Sequence, residues 1–379
     1  MRVTNRLKRI LARHVEQGSI PGAVASLGRD LSPIAVGSAA PGGPPIRTDA
    51  IFRIQSMTKP IATVAALRLV ERGALSLDEP IERWLPELAD RRVLAHPAAA
   101  LDDTVAARRP ITLRHLLTNT AGYGIIPTPS PLQTAMDDAL LMPSSAPANR
   151  GAEDWLHALT ELPLAHHPGE GWRYHLSFGI LGILLGRVAG LPTADVLRRE
   201  VFDVVGMPDT GFRVPDAEAH RLVPAFRRTD DAFEQVEEAG AGYYTGPAPC
   251  DENHAELVST LADYHAFARG LVDGGLLRRE SVTAIATDHI DPALKTPDSF
   301  YDGFWNNIGW GYGVSVVTDG AYRGRFGWSG GYGTDFFVDP DGTVCIVLTQ
   351  VEMDDRIAEL LSDLQGVRDE SEPSAYGSR

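Results

Sequence analysis

The sequence is poor in cysteine and has an excess of acidic over basic residues. Only Cys250 and Cys345 occur among 379 residues, too few for the disulfide framework that stabilises many secreted domains. No run of about eighteen apolar residues appears, so no segment is predicted to span a bilayer. The formal net charge of -15 argues against nucleic acid or an anionic membrane as partner, because phosphates attract basic surfaces.

The N-terminal segment lacks the features of a secretory signal. Such a signal needs an unbroken apolar stretch and a small-residue cleavage site, and neither occurs near the start. Apolar residues instead recur at helical spacing from Val3 to Val15, and Gly18 follows them. We therefore expect an amphipathic helix over residues 1–17 and a cytoplasmic protein.

Short β-rich segments occur near both ends of the chain, and the region between them is rich in proline and small residues. A buried helix is predicted from about Met57 to Arg72, because the stretch from Ile61 to Val70 is apolar almost all round. A closing helix is predicted over residues 354–364. The predicted strands are 23–27, 33–37, 51–54, 313–317, 322–328, 334–338 and 343–348.

This order of segments predicts an α/β (α+β) fold built from a discontinuous domain. Residues 1–85 and 251–367 would together form one antiparallel sheet flanked by helices. Residues 86–250 would form an inserted, all-helical lobe. Residues 368–379 are polar, and we predict that this tail is disordered.

The segment Ser56–Lys59 lies where a predicted strand passes into the buried helix. Ser56 and Lys59 are three residues apart and share one helix face, and a desolvated amine can act as the base for a hydroxyl. On spacing alone, Ser56 could equally be a helix cap and Lys59 a solvated charge. However, Lys8, Lys59 and Lys295 are the only lysines among 35 basic residues. Arginine cannot act as a base in proteins, so a lysine at position 59 favours the catalytic interpretation.

Tyr174 lies on the loop Pro168–His175, which leads into an apolar helix. Catalytic side chains are common on loops held at helix starts. A tyrosinate beside a cationic Lys59 would have a lowered pKa and could relay a proton to the leaving group. Tyr174 alone is more simply a packing residue, and only its combination with Ser56 and Lys59 indicates catalysis.

The segment Gly327–Gly331 matches the Gly-x-Ser-x-Gly nucleophile elbow, with Ser329 at its centre. That mechanism needs a histidine after the serine, but the last histidine of the sequence is His289. We instead expect a strand edge whose glycines let a substrate carbonyl approach, with the N–H groups of Ser56 and Gly331 forming an oxyanion hole. A hairpin that needs glycine only for its turn is the alternative.

Several aromatic residues are candidates for an apolar substrate pocket, although aromatic residues at such spacing are more often part of the core. They are Trp305, Trp310, Tyr123 and Tyr332. The pair His166-His167 and His254 could indicate a metal, but no second cluster at ligand spacing accompanies them, so no metal is expected. No cofactor is expected either.

Together these segments resemble the serine β-lactamase and penicillin-binding-protein superfamily, in its class C-like esterase branch (similar to the family VIII carboxylesterases). The resemblance implies a β-lactamase/transpeptidase-like fold and an acyl-enzyme on Ser56, with Lys59 and Tyr174 as the base pair. It covers roughly residues 5–365 and includes the segments 52–60, 73–80, 111–118, 168–186, 205–210, 257–260 and 327–340.

Two motifs depart from the β-lactamase pattern. Leu176 stands where the second motif usually has Asn, and residues 328–330 stand where the third usually has Lys-Thr-Gly. The missing groups would help hold the amide and carboxylate of a β-lactam. The replacements are similar to those of the esterase members, whose third motif often begins with Trp. The resemblance therefore implies weak β-lactamase activity, with Trp328, Ser329 and Gly330 bordering the substrate.

These observations predict a serine hydrolase that cleaves a small-molecule carboxylic ester, or an amide, through an acyl-enzyme. If the acyl group passed to an alcohol or amine, the protein would be an acyltransferase. If the site opened amides, it would be a peptidase acting on D-amino acids. A different class is a non-catalytic relative that binds an acyl or peptide ligand without turnover.

Overall fold

The computed structural model describes residues 2–143, 150–230, 232–246 and 256–367. Cys250 and the tail for which we predict disorder lie outside these residues. The helices are α1 (Arg2–Glu16), α2 (Thr58–Glu71), α3 (Leu113–Leu117), α4 (Pro131–Asp138), α5 (Ala152–Thr160), α6 (Ser177–Ala189), α7 (Thr193–Leu197), α8 (Asp203–Val205), α9 (Leu261–Val272), α10 (Arg279–Ile285) and α11 (Asp355–Gln365). The strands are β1 (Gly22–Gly28), β2 (Ile34–Gly37), β3 (Phe52–Arg53), β4 (Arg92–Leu94), β5 (Thr104–Ala106), β6 (Ala225–Thr229), β7 (Ala232–Glu237), β8 (Val258–Ser259), β9 (Ile308–Trp310), β10 (Ser315–Val317), β11 (Phe326–Gly330), β12 (Thr334–Val338) and β13 (Val344–Leu348).

The main sheet has seven strands in the order β2-β1-β13-β12-β11-β10-β9, and each neighbouring pair is antiparallel. Strand β1 pairs with β13, with Ala25 opposite Val347, so the first and last parts of the chain meet within one sheet. The expected antiparallel sheet flanked by helices is therefore confirmed. The edge strand β9 is not among the predicted strands, because three residues are too few to show an alternating pattern.

The two faces of the sheet bury different sets of helices. Successive residues of a strand face opposite sides, so Ala25 packs with Leu11 of α1 and Leu360 of α11, while Val24 packs into the larger core on the other face. That larger core contains α2, whose residues from Thr58 to Leu67 are all buried, as the predicted all-round apolar helix requires.

The middle of the chain contains α3 to α8 but is not entirely helical, which corrects the expectation of an all-helical lobe. Strand β4 pairs with β5, and β6 pairs with β7, forming two separate ribbons. Their strands are short and partly charged, so they lack the alternation that predicts a strand. Tertiary contacts hold the second ribbon, because Phe226 packs with α1 and α11 and Arg228 pairs with Asp354 at 2.6 Å.

Helix α6 passes through the centre of the larger core and supports the loop that precedes it. Its residues from Ser177 to Leu185 are all buried. In the part of the chain that the structure describes, no single helix is long and apolar enough to cross a bilayer. Within the same residues, α6 and the segment Thr193–Val205 are long and apolar enough only when they are taken together, and the angle between them is 80°.

Candidate active site

Ser56 lies in a single 3₁₀ turn, Gln55–Met57, that runs directly into α2. The approach to this turn is fixed because the Ile54 N–H donates to the Leu257 carbonyl at 3.0 Å. Pro60 occupies the first turn of α2, where a missing N–H breaks no helical hydrogen bond. Ser56 therefore stands at the helix start expected from the sequence.

Lys59 is fully buried directly beside Ser56. The Lys59 side chain has no solvent-exposed area, and its Nζ lies 2.9 Å from Ser56 Oγ. Burial lowers the pKa of the Lys59 amine well below its ordinary value of 10.5, because an apolar environment disfavours the ammonium ion. A neutral amine at this distance has a lone pair that can accept the Ser56 proton.

Tyr174 approaches the same serine from the loop before α6. Its hydroxyl hydrogen-bonds with Ser56 and accepts a hydrogen bond from Trp328 Nε1 at 2.5 Å. Lys59 Nζ lies 4.7 Å from the centroid of the Tyr174 ring. The fold thus brings together the three residues that the sequence marks as nucleophile, base and proton relay.

The protonation state of Tyr174 is the opposite of the one expected from the sequence. Burial raises the pKa of the Tyr174 phenol above its ordinary value of 10, and the hydrogen bonds from Ser56 and Trp328 only partly oppose this effect. The expected tyrosinate required a cationic Lys59, but burial lowers the pKa of that amine and so disfavours the ammonium ion. Tyr174 therefore carries its proton, so it is suited to donate one, while Lys59 is suited to accept one.

The end of β11 lies against the turn that carries Ser56. A side chain at Gly330 would collide with the Ile54 carbonyl and the Thr334 hydroxyl, so glycine is required there for close approach. The next residue, Gly331, is exposed. A Cβ atom placed on Gly331 would lie 3.6 Å from Gln55 Oε1. Gly331 thus lies beside the Gln55 side chain, and its part in an oxyanion hole stays a prediction.

Ser329 is directed to the opposite side of β11 from Trp328, and a contact between its side chain and the substrate stays a prediction. Adjacent residues on a strand point to opposite sides, and Trp328 is the one that reaches Tyr174. Ser329 Oγ instead donates to Asp335 Oδ1 at 2.8 Å across the β11–β12 pair. Burial raises the pKa of that carboxyl to about 6, and the Ser329 hydrogen bond opposes the rise.

Tyr123 and Tyr332 are core residues in this structure. Tyr123 is 1% exposed, and its hydroxyl donates to the Leu162 carbonyl at 3.4 Å, so its contact with the substrate stays a prediction. Tyr332 is equally buried, and it lies within electrostatic reach of Arg53 and Tyr244. A contact between Tyr332 and the substrate stays a prediction.

An aromatic cluster surrounds the Tyr174 side of the site, and the sequence patterns identify only part of it. Trp172 stacks on Tyr174 with ring centroids 6.0 Å apart, and Phe300 lies 4.8 Å from the same ring. Trp310 lies 4.7 Å from Trp328. Trp172 and Phe300 are distant in sequence, so no local spacing joins them. The only signal in the sequence for this aromatic cluster is the high aromatic content of residues 300–310.

The described residues contain no group of three or more His, Cys, Asp or Glu side chains that could hold a metal ion. The chemistry that these residues can supply is acid–base and nucleophilic. Ser56 offers a partly exposed hydroxyl, beside which the buried Lys59 offers an amine and the buried Tyr174 a phenol. Such a set can attack a carbonyl and protonate its leaving group.

Comparisons with known proteins identify the family of the chain. The family model described as Beta-lactamase matches residues 7–360. Protein Rv1367c of Mycobacterium tuberculosis is 36% identical over 80% of this chain and 78% of its own length. Esterase EstB of Burkholderia gladioli is 30% identical over 78% of this chain and 76% of its own length.

Solved structures show the same fold. The structure described as EstCE1, a hydrolase with promiscuous acyltransferase activity, superposes with a TM-score of 0.79 at 24% identity, covering 96% of this chain and 98% of that one. Together with the family match, this places the protein among the serine hydrolases that include esterases and acyltransferases. The chain belongs to the Beta-lactamase family.

Proposed function

We propose that this protein is a carboxylesterase that forms an acyl-enzyme on Ser56. The observation that carries the proposal is the 2.9 Å separation of Lys59 Nζ and Ser56 Oγ in a site where Lys59 is fully buried and its pKa is lowered. The similarity to Esterase EstB over most of both chains supports ester cleavage.

The reaction begins when Ser56 Oγ attacks the ester carbonyl and its proton passes to Lys59 Nζ. The carbonyl oxygen becomes an oxyanion, which the N–H groups of Ser56 and Gly331 stabilise. When the carbon–oxygen bond to the alcohol breaks, Tyr174 gives its proton to the departing oxygen, and the Lys59 ammonium restores the proton of Tyr174. Water then attacks the acyl carbon and gives a proton to Lys59 Nζ, which passes it to Ser56 Oγ as the bond between Ser56 and the acyl carbon breaks and the acid leaves.

The substrate is a small-molecule ester, and the site is poorly suited to β-lactams. Trp328 occupies the position where β-lactamases usually have a lysine, and its indole N–H is engaged by Tyr174. Leu176 occupies the position of the usual asparagine and is fully buried. Neither residue offers the charge or the amide that would hold the carboxylate and amide of a β-lactam. The aromatic side chains around Tyr174 instead favour an apolar part of the substrate.

Labelling with a fluorophosphonate tests the proposal, with intact mass measurement and peptide mapping of the adduct. One adduct on Ser56 is expected, and Ser56→Ala should abolish both the adduct and the hydrolysis of p-nitrophenyl butyrate. Ser329→Ala is the matched control and should keep both. An adduct on Ser329 would instead indicate a nucleophile elbow, and the absence of any adduct would favour a protein that binds acyl ligands without turnover.

Acyl transfer is the second candidate function, because the same acyl-enzyme can react with an alcohol or amine. Its support is the similarity to the EstCE1 structure, whose description includes promiscuous acyltransferase activity, and to the acyltransferase calJ of Penicillium decumbens, which is 32% identical over 40% of this chain. Measuring ester formation against acid release in the presence of an alcohol separates the two functions.

A cytoplasmic location is also proposed, from the low cysteine content.

A further inference from the structure

Gln55, the residue before the nucleophile candidate, adopts a backbone conformation that is unusual for its type. Its φ is +49°, in the left-handed region that glycine occupies without penalty and other residues rarely adopt. Such conformations persist where the surrounding structure imposes them, and they are found preferentially at functional sites. The chain has a glutamine side chain at a position where the backbone favours glycine.

The Gln55 side chain lies against the edge of the proposed oxyanion hole. It is 8% exposed, and its Oε1 atom is the nearest side-chain atom to Gly331, 3.6 Å from where a Cβ would stand. Within the described ranges, the Gln55 carboxamide forms no hydrogen bond with another residue. Its oxygen and nitrogen atoms are also absent from the polar atoms that are fully buried without a partner, so both keep some contact with solvent. A nearly buried amide that keeps access to solvent beside Ser56 is available to a ligand.

We propose that Gln55 is a specificity-determining residue, whose carboxamide binds a hydroxyl or amide group carried by the acyl part of the substrate. This inference rests on the proposed esterase function. In the acyl-enzyme the scissile carbonyl is bonded to Ser56, and its oxygen is directed to the Gly331 side of the site. The Gln55 carboxamide flanks this same side and offers both a donor and an acceptor. The ligand class is therefore an acyl chain with a polar group a few bonds from the carbonyl.

Two esters of equal chain length test the inference. We would compare kcat/KM for p-nitrophenyl 3-hydroxybutyrate and p-nitrophenyl butyrate, and use the ratio of the two values as the readout. One or two hydrogen bonds to the hydroxyl correspond to a preference of about tenfold. The wild type should therefore prefer the hydroxylated ester by about that factor. In Gln55→Met, which keeps the length and the unbranched stem, the ratio should fall to about one.

Gln55→Gly separates binding from structure, because glycine relieves the unfavourable φ while it removes the carboxamide. This variant should keep its Tm within a few degrees of wild type and still lose the preference. Gln17→Met, at the exposed end of the N-terminal segment, is the control and should leave the ratio unchanged.

A wild type without preference, or a ratio that survives in both variants at Gln55, would overturn the inference. An equal loss of activity on both esters would also overturn it, because it would assign Gln55 to the oxyanion or to folding. Fluorophosphonate labelling of Ser56 in the same variants shows separately whether the esterase proposal holds.

Discussion

Replacing Lys59 with methionine should lower activity and raise stability together. Lys59 is fully buried, and its pKa is lowered well below 10.5 by burial. Methionine has a similar length and no charge, so Lys59→Met removes the proposed base without leaving a large cavity. General bases of this kind contribute roughly 10²- to 10⁴-fold to rate, so kcat for p-nitrophenyl butyrate should fall by about that factor.

The stability change has a sign and a pH dependence that follow from the lowered pKa. In the unfolded chain the Lys59 amine takes up a proton as the pH falls below about 10, whereas the lowered pKa in the folded protein shifts this uptake to lower pH. Wild-type stability is therefore lost as the pH decreases through this range. The advantage of Lys59→Met should grow by about 1.4 kcal/mol for each pH unit below 10, until the pH reaches the folded-state pKa.

Urea unfolding at pH 7 and at pH 9, together with steady-state kinetics, measures both effects. Lys8→Met is the matched control, because Lys8 is exposed on α1 and lies outside the site, so this variant should keep the wild-type kcat. If Lys59→Met kept activity within tenfold of wild type, or if its stability advantage did not increase from pH 9 to pH 7, the assignment of a neutral, buried base would be refuted.

Three further changes test other parts of the site. Trp328→Phe removes the indole N–H that donates to Tyr174, so kcat should fall about tenfold, and an unchanged kcat would contradict a role for this hydrogen bond. Gly330→Ala would place a Cβ against the Ile54 carbonyl, so activity should fall at least 100-fold as the strand is displaced, whereas full activity would contradict the close approach. Burial raises the pKa of the Asp335 carboxyl to about 6. The folded protein therefore loses stability relative to the unfolded chain as the pH rises from about 4 to 6, because the carboxyl ionises more readily in the unfolded chain. Asp335→Asn should therefore raise Tm at pH 7 and not at pH 4, and an equal gain at both values would exclude a raised pKa.

The sequence by itself determines the features that depend on neighbouring residues. The three-residue spacing of Ser56 and Lys59 places both on one face at a helix start, and the apolar residues that follow require that helix to be buried. Burial of the helix also buries Lys59. Because a buried lysine amine can lose its proton and an arginine cannot, a lysine at this position indicates a base. The segments near both chain ends are short, β-rich and bounded by turn residues, and these features predict the antiparallel sheet.

Tertiary structure alone decides the features that depend on residues distant in the chain. Whether Tyr174 is a phenol or a phenolate depends on how completely its surroundings exclude water, and the fold supplies that burial through Trp172, Phe300 and Trp328. The direction of Ser329 depends on which face of β11 meets Tyr174, and sequence motifs carry no information about that face. Pairing between short strands and contacts across more than a hundred residues are set by packing, so no local periodicity can report them.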